Sequence, residues 1–84
     1  MFEVLYFSAE WCGPCKSFYP IVSQVCGNTG MNLRRIDVEL DLASREVYNI
    51  TAVPTVIVLK NGNPVYRKTG VVSKAAFEQT LQNL

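Results

Sequence analysis

Apolar side chains fall in short runs and helical stripes along this chain, and polar or glycine breaks separate them. Residues 2–8, FEVLYFS, are aromatic and branched almost throughout, the composition of a buried strand. Between residues 16 and 27 the apolar positions are Phe18, Ile21, Val22, Val25 and Cys26. That i, i+3, i+4 stripe predicts a helix ended by the Gly27-Asn28 pair and Gly30. Pro20 lies inside it and removes one backbone donor, which predicts a bend. Residues 32–39, NLRRIDVE, fit a second strand, and Arg34, Arg35 and Asp37 carry more charge than a central strand tolerates, so a sheet edge is expected. A short helix is expected over residues 41–49 with Asp41 as its N-cap. Residues 55–59, TVIVL, are the most strand-like run, and Lys60-Asn61-Gly62-Asn63 is a hairpin turn. Residues 64–69 return as the antiparallel partner. Gly70 breaks that strand, Ser73 caps, and an amphipathic helix through Phe77, Leu81 and Leu84 closes the chain.

The order is therefore β-α-β-α-β-β-α, an α/β domain with no repeat, linker or low-complexity segment. A strand–helix–strand start implies a right-handed parallel crossover. The hairpin extends this into a four-stranded mixed sheet flanked by three helices, with both faces covered. One domain spans residues 1–84, and 49% apolar residues are enough for a core. A net charge of +1 with scattered Lys and Arg excludes a nucleic-acid footprint. No apolar run reaches the ~20 residues of a membrane span. The opening MFEVLYF has none of the features of a secretory leader. Three cysteines are an odd number and too few for a disulfide framework, so a reducing, cytoplasmic setting is expected.

The remaining question is the pair in SAEWCGPCKSFYP, Cys12 and Cys15. Two thiols at this spacing are half a metal site, a staple or a reactive pair. A structural zinc site takes four Cys or His ligands. The chain has no His, and Cys26 lies eleven residues beyond Cys15. That is roughly 16 Å along a helix at about 1.5 Å per residue, too far to join the same tetrahedron. Position favours reactivity. Cys12 falls where the first strand has ended and a helix begins, among unpaired N–H groups and the positive end of the helix dipole, which stabilise a thiolate. Cys15 lies one turn on, close enough to form a disulfide with it. Gly13 and Pro14 keep the turn compact. Cys12 is expected to be the more exposed attacker and Cys15 the resolver, while Cys26 sits on the core stripe as a buried packing residue.

These residues match a known pattern. AEWCGPCK at 9–16, VPT at 53–55, LKNG at 59–62 and TGVVSK at 69–74 together resemble the thioredoxin family over essentially the whole chain. Family members usually carry an additional strand and helix at the start. The resemblance implies a thioredoxin-like fold and a protein-disulfide reductase. Cys12 would attack a client disulfide to form a mixed disulfide, and Cys15 would displace the reduced client. It also implies that Trp11, Gly13, Pro14, Val53, Pro54 and Gly70 form the client-binding surface, with the Val53–Pro54 bond cis. No metal is implied, and no cofactor beyond the Cys12–Cys15 couple. The implied partners are disulfide-containing proteins, with ribonucleotide reductase and peroxiredoxin as examples, and a thioredoxin reductase as electron source, for a monomer. The Gly-Pro insert resembles the reductants of the family rather than its isomerases or glutaredoxins.

Three positions depart from that pattern. The buried acid that the family carries six residues before its first cysteine is Tyr6 here, and an aromatic two residues on is Ser8. The lysine that accompanies the acid is Arg35, for which Asp37 is a candidate partner on the same strand face. Tyr6 has two readings, an aromatic filling the vacated space or a hydroxyl relaying protons near Cys15. The alternatives to a general reductant are a redox-independent binding module and a specialised, glutaredoxin-like dithiol exchanger.

Overall fold

Seven elements follow in the expected order in the computed structural model, which describes residues 1–84. They are β1 (Phe2–Ser8), α1 (Gly13–Thr29), β2 (Asn32–Asp37), α2 (Leu42–Val47), β3 (Thr55–Lys60), β4 (Asn63–Thr69) and α3 (Lys74–Gln82). One sheet has the order β2-β1-β3-β4, parallel between β1 and β2 and antiparallel elsewhere. The apolar runs β1 and β3 occupy its centre, and the charged β2 forms an edge as its composition requires.

Side chains alternate across the sheet and divide the core in two. Val4 and Tyr6 of β1 with Val56 and Val58 of β3 face Phe18, Val22, Val25 and Cys26 of α1 and Phe77 and Leu81 of α3. Phe18 and Phe77 meet edge to face at 6.1 Å. Phe18 is 1% exposed, so cutting it to alanine costs about 3–5 kcal/mol. Leu5, Phe7, Ile57 and Leu59 line the opposite face with Ile36, Val38, Ile50, Cys12 and Cys15. Here the expectation of a covering helix needs amendment, because α2 buries none of its residues. Tyr48 and Ile50, which follow it, do the covering, with the Tyr48 ring against Phe7 at 5.6 Å.

Element ends also move. α1 starts at Gly13, directly after Cys12 as expected, but runs through Pro20 and past the Gly27-Asn28 pair to Thr29, where Gly30 adopts φ 72 and its N–H bonds the Cys26 carbonyl. The second strand stops at Asp37, whose carboxylate accepts the Glu39 N–H at 2.8 Å and turns the chain. Asp41 caps α2 and Ser73 caps α3, each accepting an N–H three residues on. Asn61 and Gly62 alone form the β3–β4 turn, with φ 52 and 86, the positive pair that a two-residue hairpin favours. Pro64 pairs with Leu59 beside a register shift, on an edge strand where its missing N–H is tolerated.

Candidate active site

Cys12 and Cys15 sit where β1 hands over to α1. Cys12 is the N-cap of α1, in extended backbone, and its sulfur accepts the Cys15 N–H at 3.2 Å. The first intrahelical bond, Lys16 N–H to the Cys12 carbonyl, is 3.3 Å. Pro14 occupies the first turn, where no N–H is missed, and Gly13 has open space around its α-carbon. The two cysteines are joined as a disulfide with Cα atoms 5.3 Å apart. The sulfur that must act as nucleophile therefore meets an oriented backbone donor at the positive end of a helix, the arrangement that favours thiolate.

Exposure follows the expected order but not the expected degree. Cys15 is 0% exposed and Cys12 only 4%, so in the disulfide form both are largely covered. Cys26 is buried in the core layer that also holds Phe77 and Leu81 of α3, and burial pushes its thiol up to about 11. It is held apart from the pair, in the core layer on the other face of the sheet. No three or more Cys, His, Asp or Glu side chains come together as a metal-binding group.

Around the pair, Trp11 is 69% exposed, and its indole N–H donates to the Glu39 carboxylate at 2.7 Å. The two flank a groove of about 140 Å³ that also involves Val38, Arg45, Ile50 and Val53. The Val53–Pro54 bond is cis. The Gly70 N–H, at φ 97, bonds the Pro54 carbonyl at 2.8 Å and fastens the end of β4 to that loop. Val53 is half-buried, and its own N–H and C=O make no backbone hydrogen bond within the chain. Glu39 and Arg67 were not singled out from the sequence. Arg67 donates to the carbonyls of Tyr48 and Asn49 at 2.5 and 2.8 Å and ties the segment before Pro54 to β4.

The departing residues have definite places. Tyr6 is fully buried beside Phe18 and Tyr19, and its hydroxyl donates to the Cys15 carbonyl at 2.6 Å. Burial pushes its pKa up to about 12, against a smaller opposing pull from Arg35. Arg35 lies not against Asp37 but over the Tyr19 ring, 4.4 Å from its centroid. Ser8 lines an open cleft of about 360 Å³ with Ala9, Glu10, Lys16, Arg35 and Asp37.

A Cys-Gly-Pro-Cys disulfide at a helix N-terminus, at the end of a central strand of a four-stranded mixed sheet, defines a thiol–disulfide oxidoreductase. Comparison with known proteins agrees. The thioredoxin family model matches residues 2–83, and the chain belongs to the thioredoxin family. It is 35% identical over 81 residues to thioredoxin of Mycolicibacterium smegmatis, covering 92% of this chain and 72% of that relative. Oxidised thioredoxin of Plasmodium falciparum is 34% identical, with a TM-score of 0.85 over 98% of this chain and 79% of that one. A structure bearing on thiol resolution in yeast mitochondrial 1-Cys peroxiredoxin through the glutathione/thioredoxin systems is 25% identical. Its TM-score is 0.89, covering 99% of this chain and 78% of that one. The Cys12–Cys15 couple is thus the redox centre of a dithiol–disulfide reductase.

Proposed function

We propose that this chain is a general reductant of protein disulfides, holding extended client segments against Val53. The Cys12 thiolate attacks one client sulfur, the client S–S bond breaks, and its other sulfur leaves as a thiol after taking a proton. Cys15, deprotonated in turn, attacks Cys12 in the mixed disulfide and releases the second client thiol. Two electrons pass to the client, and Cys12–Cys15 is left oxidised. A thioredoxin reductase restores the dithiol.

The observation that carries this reading is the Cys12 sulfur on the Cys15 N–H at 3.2 Å, at the start of α1. The free N–H and C=O of Val53 support docking by strand addition, because an extended partner satisfies both. The exposed Trp11 and the groove beside it supply apolar contact, while Pro54, Gly70, Gly13 and Pro14 keep the approach low. Peroxiredoxin is a reasonable client, given the yeast structure noted above, and ribonucleotide reductase is another that the family suggests. We place the protein in the cytoplasm as a monomer, a setting in which the buried Cys26 thiol stays reduced.

Trapping tests the chemistry. Cys15→Ser, reduced and mixed with a peptide disulfide, should form a stable adduct through Cys12, while Cys12→Ser should form none and reduce nothing. Substantial turnover by Cys12→Ser, or an adduct carried by Cys15, would refute the assignment. Faster recharging by glutathione than by thioredoxin reductase would instead favour the specialised exchanger.

A further inference from the structure

We propose that Tyr6 is a positioning residue for the redox pair: its hydroxyl, bonded to the Cys15 carbonyl, fixes the turn that aims the Cys15 N–H at the Cys12 sulfur. Three contacts meet at that turn. The Cys15 N–H reaches the Cys12 sulfur at 3.2 Å, the Lys16 N–H reaches the Cys12 carbonyl at 3.3 Å, and the carbonyl between them accepts from Tyr6 at 2.6 Å. The peptide joining Cys15 to Lys16 is thus gripped at both ends, from the strand and from the cap.

This turn has need of an outside hold. Proline at 20 removes a backbone donor from α1 and deprives the Lys16 carbonyl of its helical partner. Tyr6 supplies a donor to the adjacent carbonyl. It does so from β1, a central strand paired on both sides. Its ring is held by Phe18 at 6.0 Å and Tyr19 at 5.3 Å, and Arg35 of β2 closes over Tyr19.

The same geometry disfavours proton relay. The hydroxyl gives its proton to an amide carbonyl, which does not hand it on to a sulfur. Its pKa of about 12 keeps it a donor throughout the working range. The charged and titratable groups facing it are Arg35 from β2 and Tyr19 from α1; Glu10 and Lys16 are the ionisable residues nearest the pair in sequence.

The test is the pH profile of Cys12 alkylation by iodoacetamide in the reduced full chain, read by mass spectrometry, in wild type, Tyr6→Phe and Phe77→Leu. Alkylation reports on the sulfur without a client, so the result is separable from the choice of client. Tyr6→Phe removes only the hydroxyl. The expected result is a midpoint raised by several tenths of a pH unit, with a plateau rate within about twofold of wild type, as suits loss of part of one hydrogen bond's effect. Amide exchange at Cys15 and Lys16 should quicken in the same variant. Phe77→Leu loosens the same core layer away from the pair and should leave the midpoint in place. An unchanged midpoint in Tyr6→Phe overturns the proposal. So does an equal shift in Phe77→Leu, which would mean general loosening. An unmoved midpoint with slower, pH-dependent resolution by Cys15 would make Tyr6 a relay instead.

Discussion

Arg67→Ala is expected to loosen the segment that leads into the cis-proline without touching the sulfurs. Arg67 donates one guanidinium N–H to Tyr48 and another to Asn49, at 2.5 and 2.8 Å. The backbone bonds made by the N–H groups of Tyr48, Asn49 and Ile50 run back to Ser44, Glu46 and Arg45, in a helix that buries none of its own residues. Arg67 is therefore the polar tie between this segment and the sheet, alongside the apolar anchors Tyr48 and Ile50. A hydrogen bond from a charged donor contributes about 1.5–3 kcal/mol when water is kept out. Solvent reaches this pair, which reduces the two together to about 1–2 kcal/mol. In a domain of this size each kcal/mol moves Tm by ~4–8 °C, so Arg67→Ala should lose roughly 5–15 °C. Arg67→Lys keeps the charge but not the fork, and should recover less than half of that. Thermal unfolding followed by circular dichroism measures both. Turnover of a peptide disulfide should show a raised KM with little change in kcat, because the sulfurs are untouched. A loss of under about 2 °C in Arg67→Ala, or a lysine variant equal to wild type, would refute the reasoning.

Three further outcomes follow from named contacts. Cys26 and Tyr6 ionise at about 11 and about 12 when folded, against 9.0 and 10.0 when free, so the unfolded chain releases these protons first. Stability should hold below pH 9.0 and fall as pH rises toward 11, and Cys26→Ala should delay the onset toward 10.0, checked by denaturant midpoints across pH. Gly70→Ala meets no atom within 4 Å but places a side chain at φ 97, which should cost about 1 kcal/mol or more in unfolding experiments and raise KM by obstructing the approach to Val53. Trp11 is the chain's one tryptophan, so fluorescence anisotropy reports its indole alone; it should fall in Glu39→Ala and stay near wild type in Glu39→Gln, which keeps an acceptor.

Much of this architecture was legible because its signals are local. Branched and aromatic runs marked the strands, charge marked β2 as an edge, and Asn61-Gly62, Asp41 and Ser73 announced their own turn and caps. The start of α1 was harder to read. CGPC has no apolar periodicity, and only its place after the first strand put the helix start at Cys12; that the Cys12 sulfur itself does the capping is visible only in the fold. The far end of α1 overran the stripe for a similar reason. Thr29 bonds the Val25 and Cys26 carbonyls, and the closing bond waits for Gly30. The partner of Arg35 was beyond local reading, since Asp37 was nearer in sequence but spent its carboxylate on Glu39, leaving the Tyr19 ring from another element.

Three roles that escaped sequence reading share one trait: they act on backbone. Arg67 holds two carbonyls, Tyr6 holds one, and Gly70 gives an N–H to Pro54. No residue type advertises such a role, because any donor of the right reach performs it, and only the fold decides which carbonyl it meets. The site's own chemistry is of the same kind. The Cys12 sulfur is met by a main-chain N–H, and the free edge of Val53 offers main-chain groups to a client. Where activation comes from peptide dipoles, the side chains nearby have to hold those dipoles still rather than carry charge. That is why a phenol can stand at position 6, where the family keeps an acid, without dismantling the centre. A carboxylate there would tune a proton; the hydroxyl keeps the turn in place, and the sulfur is activated through the turn.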